Sequence, residues 1–174
     1  MKFVTPLLLL CMLPFITSAQ SDPEFPKEFI MHLKFHNGMV TNFNGNAPDM
    51  YVGGLQLIPQ YTFVEHVLRG GAVADVYYTG KKIQAAFGPT ISFKLKTLRA
   101  APFGSAGNIH LSIDHLWGTG KERLIGGAIN ADIGNKLVLG LSVHRDYNLN
   151  TWWLQNTLAL RISKIKKTPE PFNQ

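Results

Sequence analysis

Three residues spaced two apart, His110, Ser112 and Asp114, have the side-chain types of an acyl-transfer site: a base, a hydroxyl nucleophile and a carboxylate to orient the base. They alternate with Ile109, Leu111 and Ile113, so a β-strand would present all three on one face. Residues two apart on a strand stand about 7 Å from each other, too far for a direct His–Ser hydrogen bond unless a neighbouring strand helps. Simple packing of a polar interior accounts for the same three residues without any chemistry. A second set is His32 and His36, which flank Lys34, together with His144 on another alternating stretch. Imidazoles are common metal ligands, but four-residue spacing along a strand separates His32 from His36 by more than about 10 Å. One chelate including both is therefore not expected, and no metal is assigned. Asp146, beside Arg145, reads as part of a hydrated loop.

The polar faces of these stretches also carry Asp75, Asp114 and Asp132, and Lys94, Lys96 and Arg161. Unpaired charge in a confined interior is costly, whereas a paired and hydrogen-bonded set is tolerated. The pattern predicts a charge network in which these three carboxylates meet these three cations and plug the interior. The sequence contains no phosphate-binding glycine loop, dinucleotide-binding glycine pattern, calcium loop or zinc spacing, so no cofactor is expected.

The elements that must position these groups are eight stretches of about ten residues with period-two alternation. Phe29, Met31, Leu33, Phe35 and Met39 share the apolar face of the first, and Tyr51, Leu55, Leu57, Tyr61 and Phe63 that of the second. Ala72, Ala74, Val76 and Tyr78 define the third, and Ile83, Ala85, Phe87, Ile91, Phe93 and Leu95 the fourth. His110, Ser112 and Asp114 lie on the fifth, and Asp132 opposes Ile125, Ile129 and Ile133 on the sixth. The seventh sets Leu137, Leu139, Leu141 and Val143 against His144, and the eighth sets Trp152, Leu154, Leu158 and Leu160 against Gln155, Thr157 and Arg161. Turn-forming breaks separate them, and no helical period competes outside the first twenty residues. Eight antiparallel strands in a meander remove their exposed edges by closing, so the fold class is an all-β, eight-stranded, up-and-down antiparallel barrel.

Ahead of the barrel, Lys2, an apolar run broken by Pro6 and Pro14, and Thr17, Ser18 and Ala19 have the layout of a cleaved secretory signal. The chain divides accordingly into a signal peptide (1–19), an N-terminal extension (20–28), a barrel (29–163) and a disordered polar tail (164–174). Cys11 is the only cysteine and falls in the signal, which excludes disulfides and thiolate chemistry from the mature chain. Charged residues make up 16% of the sequence, against roughly 25% in soluble domains, so something other than a charged, wetted surface must cover the fold. The net charge of +6 is scattered rather than gathered in a stripe; nucleic-acid binding is not expected.

Alternation alone does not say which face is outside. The polar faces are rich in Gly, Ser, Thr, Gln and Asn and sparse in Lys and Glu, as suits a narrow wet interior. The aromatic residues Phe29, Tyr51, Tyr61, Phe63, Tyr78, Trp117 and Trp152 fall near strand ends, as in the girdles of membrane barrels. On this pattern the region of residues 27–164 resembles the small eight-stranded outer-membrane barrels of the OmpX-like and OmpA-barrel type, and Ala19-Gln20 at the cleavage point is similar to exported proteins of Bacteroidota. The resemblance implies an outer-membrane location, lipid and the barrel-insertion machinery as partners, and a structural or surface-interaction role without a wide pore. Surface ligands would meet the polar connections 42–49 and 145–150. Two departures are the non-terminal position of Phe172 and the long link 97–107 at the end that holds the termini. The His110-x-Ser112 spacing is also similar to that of membrane-embedded lipid A deacylases, which gives the alternative of a lipid A acyl-modifying enzyme. A secreted, lipocalin-like soluble barrel holding an apolar ligand is the other.

Overall fold

Alternating side chains with turn residues at the breaks produce eight strands among the described residues. In a computed structural model that describes residues 28–43, 49–65, 67–98, 107–133 and 136–163, they are β1 (Phe29–Thr41), β2 (Met50–Val64), β3 (Leu68–Thr79), β4 (Lys82–Leu98), β5 (Gly107–Gly118), β6 (Arg123–Ile133), β7 (Leu137–Asp146) and β8 (Thr151–Arg161). Each pairs antiparallel with the next, and β8 pairs with β1, so the sheet is a closed barrel. The expected signal peptide, residues 20–27 and the expected disordered tail from 164 onward lie outside the described residues. Glu28, assigned to the extension by the sequence reading, belongs to the barrel: its carbonyl accepts from Thr62 N at 3.2 Å and its side chain is buried.

Following the ladder once around shows how the barrel closes. Phe29 lies opposite Tyr61, Tyr61 opposite Gly70, Gly70 opposite Ile91, and Ile91 opposite Ile113; Gly127, Val143 and Leu154 follow, and Leu154 meets Met39. The circuit therefore returns ten residues further along β1 (39 − 29). A stagger of this kind tilts the strands by roughly 40° and leaves an interior that side chains can fill. At one end lie the end of β1, the start of β2 and the turns after β3, β5 and β7; the start of β1 and the end of β8 lie at the other. These are called the loop end and the terminal end.

The β3–β4 turn has the two-residue form in which both central residues take positive φ, Gly80 at 55° and Lys81 at 65°. Two irregularities interrupt the otherwise even register, between Thr62 and Val64 and between Lys94 and Lys96. Both sit at the terminal end.

Parity sorts the side chains as the alternation requires. Phe29, Phe35, Tyr51, Phe63, Phe87, Ile129 and Leu141 stand exposed on the outside, while Lys34, His36, Gln56, Asp75, Ser112 and Gln155 are buried inside. The interior is not uniformly polar, however. Toward the loop end Val40, Val52, Tyr77, Leu116, Leu124 and Trp153 form an apolar cluster, with the Tyr77 and Trp153 rings edge to face at 5.2 Å and 83°. Neighbouring tryptophans thus have opposite surroundings: Trp153 is 3% exposed in this cap, and Trp152 faces out toward Phe43. Truncating Trp153 to Ala opens a hole in a packed layer and should cost about 3–5 kcal/mol, whereas Trp152→Ala should cost about 1 kcal/mol or less. Denaturant midpoints followed by gel mobility of the folded form will compare the two, and equal shifts would contradict this assignment of faces.

Candidate functional site

The interior groups are delivered by all eight strands and are joined by amides and histidines. Asp75 on β3 accepts from His36 Nε2 at 2.9 Å through one oxygen and from Gln56 Nε2 at 3.0 Å through the other. The remaining ring nitrogen of His36, Nδ1, lies 3.0 Å from Gln155 Nε2, and Gln155 Oε1 accepts from Ser142 at 3.0 Å. Both ring nitrogens of His36 are thus engaged, one by a carboxylate and one by an amide. The chain Gln56–Asp75–His36–Gln155–Ser142 runs from β2 and β3 through β1 and β8 to β7. Gly54 makes room for it: a Cβ there would fall 2.6 Å from His36 Nε2.

Two further carboxylates have histidine neighbours. His144 Nε2 stands 3.4 Å from Asp114 Oδ2, and His110 Nδ1 stands 3.4 Å from Asp132 Oδ1. At the terminal end Arg161 Nη2 pairs with Glu28 Oε1 at 2.8 Å, and Arg69 Nε donates to Thr62 at 3.3 Å. Asp75, Asp114 and Asp132 thus have His36, His144 and His110 as their close basic neighbours, where the sequence reading placed Lys94, Lys96 and Arg161. The discrepancy has a local cause. Across the irregularity in β4, Lys94 lies opposite His110 but Lys96 lies opposite Ile109, so the extra residue turns Lys96 to the outside, where it is exposed. Lys94 and Lys96 make no ion pair among the described residues.

His110, Ser112 and Asp114 do face the interior together, around a cavity of about 30 Å³ that His32, Lys34 and Ser92 also line. They are not connected as an acyl-transfer set. Ser112 Oγ accepts from Asn130 at 3.3 Å, while His110 and Asp114 are directed to Asp132 and His144. A space of that size holds about one or two waters, and neither an acyl chain nor an apolar ligand. Lys34 is 7% exposed and makes no hydrogen bond or ion pair among the described residues, although Asp114 and Asp75 lie within electrostatic reach. His32 and His36 occupy different levels, and no group of three or more metal-ligating side chains occurs among the described residues.

Asp146 is not a hydrated loop residue. It is fully buried, and its Oδ1 accepts from the backbone N–H groups of Arg123 at 3.2 Å, Asn148 at 2.9 Å and Leu149 at 3.0 Å. It ties the β7–β8 turn to the start of β6. Asp followed two positions on by Asn in a turn was the available signal, since Asp side chains bond backbone groups a few residues ahead.

Breaking the long interior chain at its carboxylate strands His36 and Gln56 together. Asp75→Ala should therefore destabilise the barrel by about 3–5 kcal/mol, while Lys96→Gln, on the outside, should stay within about 0.5 kcal/mol. Urea titrations of the refolded variants will measure both, and a larger loss for Lys96→Gln would reinstate the lysine network.

No family model matches the chain, and no curated protein matches it in sequence. Among solved structures it is similar to one described as "De novo design of transmembrane beta-barrels", with 10% sequence identity and a TM-score of 0.47 over 79% of this chain and 97% of that one.

Proposed function

We propose that the protein is an outer-membrane barrel with a structural or surface-interaction role, exported by its leader, without enzymatic activity and without a wide pore. The observation that carries this reading is the inverted distribution of polarity. Midway along the strands the outside presents Phe35, Ile91, Ile129 and Leu141, all at least 36% exposed, at the level where the inside holds Lys34, Thr90, Ser112 and Asn130. A monomer in water rarely exposes more than a few hundred Å² of continuous apolar surface, and here such a surface encircles the barrel. In a bilayer the same band is the solvated face, and closure of the sheet satisfies the backbone groups that lipid cannot.

The aromatic residues support the same placement. Phe29, Tyr61 and Phe63 crowd the outside of the terminal end, with Tyr61 and Phe63 edge to face at 5.7 Å, and Tyr51, Tyr78 and Trp117 stand toward the loop end. The apolar cap and the hydrogen-bonded chain fill successive levels of the interior among the described residues, which supports anchoring or display over transport. Exposed Tyr147 and Leu149 in the β7–β8 turn, with Phe43 and Asp49 flanking the 42–49 connection, offer contact surface at the loop end. The small-barrel resemblance in the sequence points to insertion by the barrel-assembly machinery.

Fractionation of the exporting cell followed by electrophoresis of unheated and heated samples tests the location directly: the protein should stay with the outer membrane and change mobility on heating. Recovery in a soluble fraction would defeat the proposal. A second test needs only purified protein. Leu141 is 64% exposed, so Leu141→Arg should be harmless in water, whereas on the lipid face it should cost about 2–4 kcal/mol. Folding yields into vesicles will show which holds.

A further inference from the structure

Charged side chains are few on the outer wall, and two of them lie side by side. Ile125 on β6 lies opposite Arg145 on β7, and Leu124 lies opposite Asp146. The next position along brings Tyr147 N to Arg123 O at 3.1 Å. Arg123 and Arg145 are therefore diagonal neighbours on one face, with backbones roughly 7–8 Å apart. Parity turns both outward, since Leu124, His144 and Asp146 point in.

A tryptophan flanks each arginine on the far side. Trp117 lies opposite Arg123 on β5, and Trp152 lies opposite Arg145 on β8. The Arg145 guanidinium sits over the Trp152 ring at 5.0 Å and donates to Asn150 Oδ1. The ring and the amide hold it without neutralising it. The Arg123 side chain makes no hydrogen bond or ion pair among the described residues, and it borders an open groove of about 420 Å³ lined by Phe87, Trp117, Gly118 and Thr119. His115 extends the patch, its ring tilted against Trp117 with centroids 4.6 Å apart and its Nε2 3.1 Å from the Tyr147 hydroxyl.

The two arginines are neighbours along the backbone, and neither makes an ion pair with a carboxylate among the described residues, so guanidinium donors on both remain open to an anion. Their forked donors match phosphate oxygens. The flanking tryptophans belong at the depth where headgroups meet acyl chains, which fixes the source of the phosphate. We propose that Arg123 and Arg145, between Trp117 and Trp152, form a binding site for the phosphate group of an anionic lipid in the leaflet around the loop end. This rests on the membrane reading above, because only a bilayer delivers such a headgroup to the outer wall. Among the described residues no arginine pair faces outward beside Phe29, Tyr61 and Phe63 at the other end.

The test uses the full mature barrel refolded into phosphatidylcholine vesicles doped with spin-labelled phosphatidic acid or spin-labelled phosphatidylcholine. The protein-immobilised fraction of each label gives the lipid preference. Wild type should prefer phosphatidic acid by roughly fivefold or more, the factor that one arginine near a headgroup surface supplies. R123Q/R145Q should bring the preference close to that of the neutral lipid, and K81Q/K82Q, at the β3–β4 turn, should keep it. An unchanged preference in R123Q/R145Q, or its loss in K81Q/K82Q, overturns the site in favour of diffuse rim charge. Inorganic phosphate at matched ionic strength should leave the immobilised fraction unchanged; displacement of the labelled lipid would mean that the arginines read free phosphate. A protein that never enters vesicles or shows no heat-dependent mobility fails the membrane reading instead, a result seen before any lipid preference is measured.

Discussion

Closure of the ladder between β8 and β1 is the constraint on which the rest depends. Once Leu154 meets Met39, no strand can slide along its neighbour without moving every other strand, so the ten-residue stagger is common to the whole barrel. Side chains alternate strictly along a strand, so a fixed stagger also fixes which residues face in. Inside and outside are then not local choices. They change only where a register irregularity adds a residue, and both irregularities lie at the terminal end, away from the middle of the wall.

Within that fixed frame the interior is narrow, which explains why amides and imidazoles rather than lysines bridge it. A lysine offers three donors and no acceptor, and it must find anions on every side. Gln155 and His36 each offer two polar atoms on opposite sides, so they relay a hydrogen-bonded chain from Ser142 to Asp75. The longer guanidinium groups of Arg69 and Arg161 are kept for the terminal end, where Thr62 and Glu28 meet them. Glycine at position 54 belongs to the same economy of space, since the His36 ring fills the place of its missing side chain.

Strand number, fold class and the direction of nearly every side chain were legible in the sequence, because period-two alternation over eight stretches encodes them directly. What meets what across the interior was not. Cross-strand partners depend on register, which is set by turns and by closure, and no single stretch records them. Asp75 and His36 are 39 residues apart, and His36 and Gln155 are 119 apart. Lys96 shows the same limit in miniature: continuing the alternation from Lys94 places it inside, and one extra residue places it outside. The apolar cap was hidden for another reason. Val52, Leu116 and Trp153 sit at inward positions that alternation identifies, yet an apolar residue on a polar face reads as noise until several are seen at one level.

The two ends of the barrel carry opposite arrangements, and each is the complement of the other. At the loop end the interior holds an apolar cluster around Tyr77 and Trp153, with the buried carboxylates Glu122 and Asp146 beside it, and the cationic groups Arg123 and Arg145 stand outside among aromatic rings. At the terminal end the cations Arg69 and Arg161 are inside with Thr62 and Glu28, and the outside is aromatic. A charge inside the wall is costly unless partners stand nearby, whereas a charge on the outer rim can take its partner from the surroundings. An arginine left outside without a carboxylate therefore carries information about what surrounds it that a paired arginine inside does not.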